Sequence, residues 1–107
     1  QMEKTLKIDG RDVKFRSSGA LPIIYRAYTG RNLFAEVSML EAHFKELNTE
    51  PLEDMIWCAA KLAADRDGRE MPDQVKWFDS FDNFPIFDVF NELSELFFST
   101  LQTTKKA

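Results

Sequence analysis

From Trp77 to Phe90 the chain reads Trp-Phe-Asp-Ser-Phe-Asp-Asn-Phe-Pro-Ile-Phe-Asp-Val-Phe, with a phenylalanine at every third position from 78 to 90. No single helix can bury that pattern on one face. A helix turns about 100° per residue, so positions three apart drift roughly 240° around the cylinder over this run. Pro85 resolves the conflict, because it breaks the stretch into two helices that meet at a corner. Phe78 and Phe81 are expected to close the first of these helices onto the core, with Phe84 marking the corner. Phe97 and Phe98 follow, so this end carries seven of the ten phenylalanines. Between Lys76 and Lys105 the charged residues are all acidic: Asp79, Asp82, Asp88, Glu92 and Glu95.

Core packing is the ordinary use of any one of these rings. Seven together, each burying on the order of 150–250 Å², strain the interior of a chain of 107 residues. Surplus aromatics on an acidic helix point to a protein–protein surface. The last helix is where that surface is expected, because its apolar positions cover more than one stripe. Phe87, Phe90, Phe97 and Phe98, with Glu92 beside them, are its candidate partner-binding residues. A groove of this kind suits an amphipathic helix or a second copy of the chain.

The length implies one domain, spanning 1–107, with enough chain for a core that needs no staples. The single cysteine, Cys58, leaves no internal disulfide and fits a reducing compartment. No apolar run approaches a membrane span, and the N-terminus lacks a signal-peptide core. The net charge of −4 is unevenly placed: residues 1–31 carry seven Lys/Arg against three acids, and the remainder seven against fifteen. An acidic body argues against a broad nucleic-acid or membrane surface. The asymmetry permits head-to-tail self-association, with Lys7, Lys14, Arg16 and Arg26 as candidate contacts at the basic end.

In order, residues 4–16 read as a β-hairpin around Asp9-Gly10, a pair suited to a turn that needs positive φ. Leu6, Ile8, Val13 and Phe15 fall on one face, which must lie on helices or on another subunit's sheet. A helical body follows over 19–102. Pro22 fits the first turn of its first helix, and Gly30 the left-handed stop. Asn32 caps a second helix, with Leu33, Val37, Leu40, Phe44 and Leu47 as a single buried stripe. Pro51 opens a third helix, with Leu52, Met55, Ile56, Ala59, Leu62 and Ala63 inward. A fourth runs from Asp73 to about Ser80, and the last from Pro85 to about Gln102. Residues 103–107 are expected to fray. The fold class expected is therefore α+β, predominantly α-helical: an N-terminal β-hairpin followed by about five helices.

Catalysis needs convergent groups, and few are present. His43, the only histidine, is expected at the surface or boundary of its helix rather than as a base. Cys58 reads as a buried structural thiol. With one His and one Cys, a structural zinc site would have to be built largely from carboxylates. Asp65-Arg66-Asp67-Gly68 has the look of part of a calcium loop, yet in that register the twelfth position is Gln74, where an acid is required. The four glycines are too scattered for a phosphate-binding loop. No cofactor, metal site or catalytic residue is expected.

Val13-Lys14-Phe15-Arg16-Ser17-Ser18-Gly19-Ala20, then Ile24-Tyr25-Arg26-Ala27-Tyr28 and Gly30-Arg31-Asn32-Leu33-Phe34, resemble the N-terminal half of the tail assembly chaperones of long-tailed phages and prophages. That family shows an extended K-F-R segment, then Y-R, then G-R-D before a helix. Here Asn32 stands where the Asp is usual, and both residues cap helices well. The second half is similar too: a helix like Met55-Ile56-Trp57-Cys58-Ala59-Ala60-Lys61-Leu62-Ala63, a Pro-started helix with Lys76-Trp77-Phe78, and a final helix from Phe84-Pro85-Ile86-Phe87. The resemblance covers nearly the whole chain, through patterns of packing residues rather than a catalytic signature. It implies a non-enzymatic protein of the host bacterial cytoplasm that binds the tape measure protein, keeps it soluble, and helps tail tube protein assemble around it. It also implies a homo-oligomer, with no nucleic-acid or membrane partner. The alternative from another class is a small acidic regulatory or inhibitor protein that occupies a basic partner protein.

Overall fold

The computed structural model describes residues 2–99. The expected continuation of the last helix to Gln102 and the expected frayed tail lie outside them. Strands β1 (Met2–Ile8) and β2 (Arg11–Ser17) pair antiparallel through a two-residue loop. Asp9 and Gly10 have φ of 54° and 79°, the paired left-handed conformations of a type I′ turn, whose twist matches that of the strands. Leu6 stands opposite Val13 and Ile8 opposite Arg11. Leu6, Ile8, Val13 and Phe15 therefore share one face, with Ile8 and Phe15 buried.

That face lies on α4 (Glu50–Arg66), the longest helix among the described residues. Pro51 sits in its first turn. The inward residues expected from periodicity are all buried, and so are Trp57, Cys58, Ala60 and Ala64. A helix covered nearly all round is a core helix rather than an amphipathic surface helix. β2, α1 (Leu21–Thr29) and α6 (Ile86–Glu92) all pack against it. The small side chains of Ala59, Ala60, Ala63 and Ala64 let these neighbours approach closely.

Among the described residues seven helices follow the hairpin, where about five were expected. The difference lies at two breaks. The second expected helix divides at Met39 into α2 (Leu33–Ser38) and α3 (Leu40–Lys45), and the last divides at Leu93 into α6 and α7 (Ser94–Phe98). Both break residues leave helical geometry for the neighbouring bridge region, with φ and ψ of −106° and 14° at Met39 and −97° and 3° at Leu93. The chain bends without glycine or proline, so Leu40, Leu93 and Leu96 can all reach the core. The expected terminators hold elsewhere. Gly30 ends α1 at φ 75°, and the Asn32 carboxamide accepts hydrogen bonds from the amides of Phe34 and Ala35.

α5 (Gln74–Asp79) begins at Asp73, whose carboxylate accepts from the Lys76 amide at 2.9 Å. Here the first half of the aromatic run folds around Trp77. Its ring lies 4.9 Å from Phe78, 5.2 Å from Phe81, 5.7 Å from Phe84 and 6.4 Å from Phe15 of β2, each edge-on. Such contacts contribute roughly 0.5–1.5 kcal/mol each beyond area burial. The hairpin turn clamps this corner. The Asp9 carboxylate accepts from the Asp82 amide at 2.9 Å, and the Arg11 guanidinium lies 3.9 Å over Phe81 while donating to the Ser80 hydroxyl.

Candidate partner-binding groove

The second half of the run behaves differently. Phe87 on α6 meets Phe44 on α3 at 5.8 Å between ring centroids, and Phe44 meets Phe90 at 5.9 Å. Phe90 stacks on Phe97 of α7, 5.0 Å apart and within 9° of parallel. Phe90 and Phe97 are 1% and 0% exposed. They form the floor under Phe44 and Phe87, so their expected role as partner contacts is corrected: side chains sealed in the interior cannot touch a docked protein. Phe44 and Phe87, both half-buried, form the upper layer. With Leu47 and Asn91 they line a shallow cavity of about 290 Å³.

Leu47 is the unusual member. It was expected as the last residue of a buried stripe, and instead it is 72% exposed. α3 ends at Lys45, and the chain turns through a Schellman motif. The Asn48 amide donates to the His43 carbonyl at 2.9 Å and the Leu47 amide to the Phe44 carbonyl at 3.2 Å. The residue just past the cap in this motif is left-handed, and glycine is the usual occupant. α4 follows that rule: the Arg69 amide bonds to Ala64 and the Gly68 amide to Asp65, with Gly68 at φ 71°. In α3 the same position holds Leu47 at φ 56°. A β-carbon there costs roughly 1–2 kcal/mol. The chain thus sustains backbone strain that projects a large apolar side chain into water beside an aromatic groove.

A polar network anchors the end of α3 that carries Leu47. His43 Nε2 lies 2.9 Å from Glu36 Oε1, and its Nδ1 faces the Asn48 carboxamide at 3.4 Å. His43 is buried, not at the surface or boundary as its sequence position implied. Glu36 forms an ion pair with Arg31, Oε2 to Nε at 3.2 Å, and Arg31 also reaches Asp54 and the Tyr25 hydroxyl. Gln74 donates to the second Asp54 oxygen at 2.8 Å. Burial works against the Arg31 charge, but the hydrogen bonds to Tyr25 and Asp54 outweigh it and hold the guanidinium firmly protonated. Burial also pushes the Tyr25 phenol up to about 12. One arginine therefore ties α1, α2 and α4 together, Asp54 carries the link on to Gln74 of α5, and through Glu36 and His43 the network fixes the groove's rim.

The remaining expected residues fall elsewhere. Phe98 is 46% exposed and is not among the residues lining the groove. Glu92 is exposed on α6, 3.8 Å from Lys4. Lys7 pairs with Asp12 at 3.4 Å and Lys14 with Asp67 at 3.1 Å. Arg16 is half-buried and Arg26 exposed. The basic N-terminal charges thus turn partly onto acids of the same molecule, and the four do not gather into one patch around the groove. Cys58 is fully buried, with its thiol pushed up to about 12 first by burial and then by the nearby Asp54 charge. Among the described residues no cluster of three or more His, Cys, Asp and Glu could hold a metal ion, and no helix is long and apolar enough to cross a membrane.

Sequence reasoning missed Phe44, Leu47 and Asn91. A signal for Leu47 was present: Pro51 forces a new helix to begin within a few residues, and 45–50 contains no glycine to end the previous one. A residue with a β-carbon then has to take the left-handed position. No family model matches this chain, and neither the curated proteins nor the solved structures give a match to it.

Proposed function

We propose that this chain is a non-enzymatic tail assembly chaperone of a long-tailed phage or prophage. It acts in the host bacterial cytoplasm, keeps the tape measure protein soluble, and promotes assembly of tail tube protein around it. The observation that carries the reading is Leu47: a strained, exposed leucine at the rim of a groove made by Phe44 and Phe87. A chaperone for a long amphipathic helix needs apolar surface in water, and a groove between two helices is a common way to hold such a helix. Of the residues lining the groove only Asn91 is polar, so the fitting segment presents an apolar stripe. The resemblance of nearly the whole sequence to that chaperone family supports the same reading.

The test is co-expression with overlapping tape measure segments. Soluble co-purifying complexes are expected, lost in Leu47→Asp and reduced in Phe87→Ala. Failure of every segment to bind or to become soluble removes the proposal.

A second reading has an observation of its own. Asp79, Asp82, Asp88, Glu92 and Glu95 are all exposed, as in a small acidic inhibitor that occupies a basic protein. Salt separates the two. An acidic inhibitor's affinity falls steeply between low and moderate ionic strength, whereas apolar groove binding changes little.

A further inference from the structure

Among the described residues β1 pairs with β2 alone in a two-stranded sheet, and no described strand lies along its outer edge. The type I′ loop makes Ile8 and Arg11 the hydrogen-bonded pair that closes the turn, and alternation makes Leu6–Val13 and Lys4–Phe15 bonded pairs as well. The amides and carbonyls of Glu3, Thr5 and Lys7 therefore point out of the sheet. The side chains of all three are exposed. The strand is regular over seven residues and contains no proline. Natural edge strands are commonly blunted by proline, bulges, shortness or charge; of these β1 has only charge, at Glu3, Lys4 and Lys7.

We propose that this edge joins a second copy of the chain: two β1 strands pair antiparallel about Thr5, making one four-stranded sheet across a two-fold axis. The register follows from chemistry. Bonds form only where outward-pointing residues of one strand meet those of the other. Centred on Thr5, the strands exchange about six backbone hydrogen bonds. In that register Glu3 faces Lys7 of the second copy at both ends, and Thr5 faces Thr5. Opposite charges directly across a strand pair stabilise it, and like charges oppose it. Sliding by two residues toward the N-terminus sets Lys4 against Lys4 and removes both Glu–Lys pairs. The Lys7 contact with Asp12 is no obstacle, since both side chains are 71% exposed and such pairs contribute little. This inference does not rest on the groove: none of Glu3, Thr5 and Lys7 lines it.

Sedimentation velocity on the full chain tests it. The protein is expected to dimerise with rising concentration. Glu3→Lys and Lys7→Glu, each alone, place like charges at both ends and weaken self-association about tenfold. Mixed together, the two variants regain complementary pairs and associate at least as well as the parent. Thr5→Pro removes a central outward amide without touching the β1–β2 ladder, so it leaves a folded monomer. A parent that stays monomeric at high concentration overturns the proposal, as does a mixture of the charge variants that associates no better than either alone. Should Thr5→Pro disturb the hairpin by circular dichroism, the charge-variant mixture decides the matter by itself. Groove binding to tape measure segments is expected to survive in all three variants, so loss of the dimer and loss of the chaperone reading are separate outcomes.

Discussion

Phe44 and Phe90 meet edge to face at 5.9 Å between ring centroids, joining α3 to α6. One ring of the pair is sealed in the core and the other is half open to water. The boundary between what holds the fold and what is offered to a partner passes between them.

That boundary can be measured. Phe90→Ala leaves a cavity beside Phe97 and is expected to cost about 3–5 kcal/mol of stability. Phe87→Ala removes a half-buried ring and is expected to cost about 1–2 kcal/mol, while weakening partner binding. Chemical denaturation of the two variants, read with a binding assay, separates the roles. Equal destabilisation by both would place Phe87 in the core with Phe90.

Leu47→Gly relieves the left-handed strain but loosens the unfolded chain. The expected net effect is a gain of about 0.5–1 kcal/mol. The same change deletes the groove's exposed rim, so affinity for the partner falls. Opposite movement of stability and binding is the diagnostic outcome. A variant less stable than the parent would show that the Leu47 side chain holds the fold.

Arg31→Ala removes the cation that Asp54 and Glu36 share. Since these carboxylates are mostly buried, the expected loss is about 3 kcal/mol. Arg31→Lys is not expected to rescue it, because an ammonium cannot span Tyr25, Asp54 and Glu36 as a planar guanidinium does. A thermal melt series across the two variants gives the answer.

Alkali should unfold the protein early. Burial lifts the Tyr25 phenol from 10.0 to about 12 and the Cys58 thiol from 9.0 to about 12. Both groups then lose protons more readily in the unfolded chain. Their stabilisation is complete below pH 9 and is lost as pH rises through about 12, on the order of 3 kcal/mol for Tyr25 alone. Melting temperature measured across this range should fall, and the fall should be shallower in Tyr25→Phe. In the native fold at neutral pH, Cys58 should resist alkylation.

Local chemistry was legible wherever one residue type governs the backbone. Asp9-Gly10 gave the turn, Asn32 the cap, Gly30 the stop, and Pro51 and Pro85 the helix starts. Hydrophobic period found the main core face of α4. It could not find the burial of Trp57, Ala60 and Ala64, because how many sides of a helix are covered depends on how many elements surround it; the burial of Cys58 was legible from its residue type instead. The breaks at Met39 and Leu93 left no mark, since the bridge-region backbone they adopt requires neither glycine nor proline. His43 looked like a surface residue because its partner Glu36 lies on another helix. Of the groove, Phe87 was named beforehand. Phe44 and Leu47 were assigned to the core, because a stripe read at helical spacing assumes that the helix continues, and α3 stops two residues before Leu47.

α4 is touched by β2, α1 and α6 together. Substitutions in it must therefore suit three neighbours at once, and change there is confined to coordinated steps. Leu47 and Asn91 answer to no such set of neighbours. The groove's rim can drift with the sequence of whatever it binds while the helix beneath stays fixed, so a lineage of such chains could follow a changing partner without rebuilding its core.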